Sequence, residues 1–189
     1  MRLTAPRIPP VADVDANEAQ RELFAPFARR GRVLNVFRTL ANHPDAMKAF
    51  LVYGNHVLGR TNTLPPRERE IVVLRVGYLC RAGYEWAQHG PIGVQAGMTW
   101  DEVERVKRGA DAEGWSEPDR ALLRATDELH HDKFITDPSW AALQAHLDDR
   151  QCVDLILTAG QYTQVCMLLN SLGVQLDEGQ TLDPDLKGF

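Results

Sequence analysis

LPPREREIVVLRVGYLCRAGYEWAQHGPIGVQAG, residues 64–97, reads as two apolar helices joined by a bend. Pro65 and Pro66 suit a helix start, where the first N–H groups have no intrahelical partner to lose. Ile71, Leu74 and Tyr78 recur at spacings of three and four, and Val72 and Val73 widen the stripe into a broad buried face. Gly77 and Gly83 bracket a break that holds Cys80, Arg81 and Ala82. A second helix begins near Tyr84 and carries Glu85 and His89, which are four apart and share a face. Carboxylates and imidazoles are rarely buried without a partner or a task. On one straight helix Glu70 and His89 would stand about 28 Å apart. A chain that folds back at residues 80–83 brings them to one place. The plain alternative makes Glu70 a solvated first-turn charge beside Arg67 and Arg69, and His89 a core histidine with its hydrogen bonds met.

Working outward, every other apolar segment also has helical spacing. Asn17 caps an expected helix from Glu18 to Arg29, with Leu23, Phe24 and Phe27 inward. A short helix over Leu34–Ala41 and a longer one from Pro44 to Leu58 follow. Thr99 and Glu102 form a capping box for a helix that ends near Gly109. Ala110–Pro118 is polar and glycine-containing, the natural linker. Ser116 then caps a helix from Glu117 to Lys133, Asp137 or Ser139 starts another, and the last runs from Asp149 to Leu172. Residues 1–15, with Pro6, Pro9 and Pro10, read as an extended arm over the surface or onto a neighbour, and residues 173–189 as a polar tail. No alternating run of strand length stands out. A shift of 83 residues sets Leu64 and Arg67 against Leu147 and Arg150, and Leu74 and Gly77 against Leu157 and Gly160. At the positions of Glu70 and Glu85 the second copy has Val153 and Leu168. A duplicated helical unit with one charged half accounts for this, as does chance similarity between two buried helices.

Composition excludes several classes of function. The chain has 189 residues, 44 % hydrophobic and 25 % charged, which are globular values. A formal net charge of −5 argues against nucleic acid as the main partner. No run approaches 18 consecutive apolar residues, so no membrane partner is expected. Cys80, Cys152 and Cys166 have neither disulfide-framework nor zinc spacing. A reducing cytoplasm is the expected location. No nucleotide-binding or metal-binding motif is present, and His130 and His131 point about 100° apart on a helix. No cofactor and no metal are expected.

From Arg32 to Asp111, and most specifically over Leu64–Gly97, the sequence resembles the carboxymuconolactone decarboxylase family, which includes the alkylhydroperoxidase D-like proteins. In the alkylhydroperoxidase branch a glutamate precedes a CxxC pair, and a histidine follows the second cysteine by four. Glu70 and His89 match the glutamate and the histidine. Ala82 and Glu85 stand where the two cysteines would be, and Cys80 is out of register. The resemblance implies an all-α, alkylhydroperoxidase D-like helical bundle over residues 1–189. Within it lie an arm at 1–15, a family core at 32–111 and a degenerate second helical half at 112–175. It also implies a small-molecule substrate and a homo-oligomer, a dimer, trimer or hexamer.

Conditional on that resemblance, the expected activity is cofactor-free decarboxylation of a small, aromatic-derived acid. His89 is the natural acid/base near neutral pH. Glu70 or Glu85 can orient its ring and stabilise the imidazolium. Tyr84 can donate a hydrogen bond to an enolate oxygen, and Arg81 at the bend can pair with a substrate carboxylate. Trp86 is a candidate substrate contact, although it packs if Tyr84 and His89 face the cleft. Thiol peroxidase chemistry and ligand binding without turnover are the two alternatives.

Overall fold

Capping side chains set where the helices begin. In the computed structural model, which describes residues 3–187, Asn17, Thr99 and Asp148 each close a capping box, and Ser116 accepts from the Asp119 N–H. The helices are α1 (Glu18–Ala28), α2 (Asn35–Leu40), α3 (Pro44–Val57), α4 (Pro66–Leu79) and α5 (Gly83–Gln95), followed by α6 (Trp100–Val106), α7 (Glu117–His131), α8 (Asp137–Gln144) and α9 (Asp149–Leu172). A single 3₁₀ turn, Pro184–Leu186, follows, and the described residues contain no strand. The fold is an all-α bundle, as expected.

Helix α4 is the axis of the bundle. It packs against α5, α6, α7 and α9, and every residue from Glu70 to Gly77 is buried. On one side Val72, Val73 and Val76 meet Leu122, Leu155, Tyr162 and Cys166. On the other, Ile71 and Leu74 meet Trp86, Val103, Trp115 and Leu123. Helix α4 is thus enclosed on all sides over the two turns from Glu70 to Gly77. Two ion-pair networks tie its polar face to its neighbours. Arg67 binds Asp119 at 2.7 Å and Glu102 at 2.6 Å, and Arg75 binds Asp127 together with the carbonyls of Val106 and Lys107.

The bend after α4 has a defined geometry. Cys80 is the C-cap, and Arg81 follows it in the left-handed region at φ 54°. The N–H of Arg81 bonds to the Tyr78 carbonyl and that of Ala82 to the Gly77 carbonyl, both at 2.9 Å. This is the Schellman pattern that closes a helix, with arginine where glycine is usual. It turns the chain so that α5 runs back along α4. At Gly77 a Cβ would meet Glu85 Cγ at 3.4 Å, an ordinary contact, so a methyl fits there and a larger side chain does not.

Two expectations are corrected. The segment 110–118 is no free linker: Ala110, Ala112 and Trp115 are buried, and Trp115 Nε1 donates to the Gly109 carbonyl. The tail is not merely polar, because Val174, Asp177 and Leu186 pack into the body. Helix α9 runs unbroken through the positions that correspond to residues 80–83. The proline-containing arm lies over its own chain, with Arg7 N–H on the Leu172 carbonyl and Asp13 paired with Arg38. By length and composition α9 could span a bilayer, but over half of it is buried in the bundle.

Gly77→Leu should force α5 away from α4 and lower stability by about 1–3 kcal/mol, measured by denaturant unfolding. Gly77→Ala adds only an ordinary contact and should be tolerated.

Candidate active site

Because α5 folds back on α4, Glu70 and His89 meet although 19 positions separate them. The His89 Nδ1 lies 2.6 Å from Glu70 Oε2. Its Nε2 lies 3.0 Å from Glu85 Oε1, one turn earlier on α5. The third neighbour comes from α9: Tyr162 Oη is 3.2 Å from the same Nε2, with the two rings edge to face. Glu85 Oε1 makes no well-formed hydrogen bond, so its contact with the ring is an ion pair rather than a directed bond. All three charged side chains are enclosed, at 1 % exposure for Glu70, 4 % for Glu85 and 7 % for His89.

Burial opposes a charged ring, but the charges of Glu70 and Glu85 outweigh it and raise the His89 pKa to about 10. At neutral pH the group is therefore an imidazolium between two carboxylates. Burial, and then the charges of Glu85 and Glu70, push the Tyr162 phenol well above its usual value, so it keeps its proton.

The cluster forms the polar part of the lining of a cavity of about 630 Å³. Its walls are apolar, with Phe27, Phe37, Phe50, Leu51, Ile92 and Val165 among them. At the polar end, Arg69 Nε, Glu70 Oε1, Glu85 Oε1 and both polar atoms of Gln161 are buried without a hydrogen-bond partner. All four of these residues line the same cavity. Among the described residues no other buried side-chain polar atom lacks a partner. Buried polar groups are normally satisfied, so unpartnered atoms gathered in one cavity mark a place for a ligand or ordered water.

The expected site residues separate into two groups. Glu70, Glu85 and His89 come together. Tyr84 lines the cavity, but its hydroxyl is spent on structure: it donates to Asp177 at 2.6 Å and accepts from Gln88. Asp177 lies in the segment expected to be a tail, and Tyr84 holds that segment in place. Arg81 is exposed at the bend and is not among the cavity residues. Trp86 packs against Tyr78, with Lys107 over its ring, and faces a separate surface cleft. The basic residue at the cavity is Arg69, and the phenol beside His89 is Tyr162. Arg69, Gln161 and Tyr162 were not anticipated. The last two are adjacent polar residues among several on a mixed helix, and nothing in the sequence singled them out. Among the described residues no His, Cys, Asp or Glu cluster could hold a metal ion. Both ring nitrogens of His89 already face carboxylates.

Residues 44–128, which contain Glu70, Glu85 and His89, match the Carboxymuconolactone decarboxylase family. This segment belongs to that family. No curated protein matches the sequence. Solved structures share the fold at low identity. One is a peroxidase-related protein from Silicibacter sp. TM1040, with TM-score 0.76 and 19 % identity over 93 % of this chain and 96 % of that one. Another, an alkylhydroperoxidase AhpD core protein from Ralstonia eutropha JMP134, has TM-score 0.75 and 20 % identity over 89 % and 91 %. A third is a variant of the debrominase Bmp8 in complex with 2,3,4-tribromopyrrole, at TM-score 0.75 and 12 % identity over 93 % and 94 %. These likenesses establish the alkylhydroperoxidase D-like fold. The family segment ends within α7, so Gln161 and Tyr162 on α9 lie outside it.

The pKa of His89 is raised above its unfolded value, so its contribution to stability is complete below about pH 6.5 and is lost as pH rises through about 10. His89→Gln should therefore destabilise the protein by about 3–5 kcal/mol at neutral pH. The gap from wild type should narrow as pH approaches the His89 value. Urea unfolding across that pH range measures both.

Proposed function

We propose that the protein is a cofactor-independent lyase that decarboxylates a small, ring-shaped acid of the lactone-acid class. The observation that carries this reading is the buried Glu70–His89–Glu85 cluster lining an otherwise apolar-walled cavity. Loss of carbon dioxide from a conjugated lactone acid breaks the C–C bond to the carboxylate and leaves its electron pair as an extended enolate. The enolate needs a positive neighbour and a proton, and the imidazolium of His89 supplies both. Tyr162, which lines the cavity with its hydroxyl 3.2 Å from His89 Nε2, can pass the proton to carbon. It is then reprotonated by His89, which recovers its own proton from solvent. Glu70 and Glu85 hold the ring charged and oriented throughout.

The unpartnered atoms suggest how the substrate is held. Arg69 Nε and Gln161 Nε2 are donors suited to carboxyl or lactone oxygens, and Gln161 Oε1 can accept from a hydroxyl. The apolar walls suit the face of a ring, and a halogenated pyrrole is the ligand recorded in the Bmp8 complex. Ala82 and Glu85 occupy the positions of the family's thiol pair, so this cavity holds no thiol for peroxidase chemistry.

Incubation with 4-carboxymuconolactone and related lactone acids should release carbon dioxide. Tyr162→Phe should lower kcat by about 10²-fold or more, and Arg69→Ala should raise KM more than it lowers kcat. Thermal stabilisation by these acids without turnover would instead mark a binding protein, and neither effect would defeat the substrate class.

A further inference from the structure

The polar lining of the cavity has more acceptors to satisfy than donors. Arg69 Nε and Gln161 Nε2 are its unpartnered donors, and Glu70 Oε1, Glu85 Oε1 and Gln161 Oε1 its unpartnered acceptors. Glu70 is the plainest case. Its Oε2 lies 2.6 Å from His89 Nδ1, while Oε1, on a residue only 1 % exposed, meets no donor. His89 has no second N–H to spare, because Nε2 faces Glu85 Oε1 at 3.0 Å and Tyr162 Oη at 3.2 Å.

An unpaired buried acceptor is costly, and more so when it belongs to an ionised carboxylate. A ligand that offers only a carboxylate and a lactone carbonyl brings acceptors alone. It serves Arg69 Nε and Gln161 Nε2, leaves the three acceptors as they were, and sets its own oxygens among anionic ones. A ring that also carries an N–H or O–H serves both kinds of group at once. Hydrogen bonds to ionised acceptors are about twice as strong as neutral ones, so that donor is drawn to Glu70 Oε1 ahead of Gln161 Oε1.

We propose that the ring acid bound here carries an N–H or O–H donor, which Glu70 Oε1 accepts while Arg69 holds the carboxylate. The inference rests on the ring-acid reading above and narrows it: among lactone acids and their analogues, those with a ring hydroxyl or N–H are selected. Glu70 then has a separate task for each oxygen. Oε2 positions His89, and Oε1 discriminates between substrates.

Pyrrole-2-carboxylate and furan-2-carboxylate provide the test, since they match in size, ring and charge and differ in an N–H against an oxygen. Calorimetry on the wild-type protein should show the pyrrole acid binding about 10-fold more tightly or better. In the complex with the ¹⁵N-labelled pyrrole acid, the N–H proton should move downfield, as a hydrogen bond to a carboxylate requires. Glu70→Gln leaves no anionic acceptor at this position and should bring the ratio down, whereas Arg69→Ala should weaken both acids alike and preserve it. Should Glu70→Gln fail to fold, the wild-type ratio and the proton shift decide by themselves. Equal affinities in the wild type, the result expected if solvent water serves Glu70 in the complex, would overturn the proposal, as would a ratio untouched by Glu70→Gln. Carbon dioxide release is measured separately. A pyrrole preference without turnover of any ring acid leaves this selection standing and removes the decarboxylation. Turnover with equal affinities does the reverse, and failure of both acids to bind at millimolar concentration removes both.

Discussion

The left-handed turn at Arg81 is the constraint on which the rest of the molecule depends. A non-glycine residue in that region costs about 1–2 kcal/mol, and here the cost is borne by the packing of α4 against α5. Without the turn, Glu70 and His89 would lie on one rod, far apart. With it, α5 lies antiparallel on α4, and Glu85 packs over position 77, leaving room there for little more than a methyl. The family segment is this hairpin with α3, α6 and most of α7 around it.

The buried charges separate into two kinds. Arg67 and Arg75 are tied down by carboxylates and carbonyls at hydrogen-bond distance, and they bind α4 to α6 and α7. The cluster around His89 is different, since one oxygen of each glutamate is left without a hydrogen-bond partner at the cavity. Burying two carboxylates and an imidazolium is a poor route to stability, because desolvation cancels much of the attraction. A network kept only for structure would be expected to satisfy its members. The open valences are therefore the stronger evidence for a ligand, and the perturbed pKa of His89 follows from the same arrangement.

How much of this was legible in the sequence depended on range. Caps act within four residues, so Asn17, Thr99 and Ser116 marked helix starts that the structure reproduces. The Glu85–His89 pair was legible because helical spacing places them on one face. Glu70 could be joined to them because glycines flanked a break. Tyr162 and Gln161 could not be found that way. They reach the site from α9, which is buried on more than one side and shows no clear polar face to mark its functional residues. Tyr84 had the right chemistry but the wrong partner. Its hydroxyl is claimed by Asp177, 93 positions away, in a segment whose polar composition gave no sign that it packs.

Glu85 acts on both partners of the cluster. It stands where the family resemblance places the second cysteine, so one anionic group replaces what would be another, and the histidine keeps a negative neighbour while losing a sulfur nucleophile. The exchange turns a potential redox pair with an imidazole into an acid–base cluster, because a carboxylate beside the ring raises its proton affinity and cannot itself be oxidised. Together with burial, the charge of Glu85 also keeps the Tyr162 phenol protonated. One carboxylate thus favours the imidazolium on its own helix and the neutral phenol on α9.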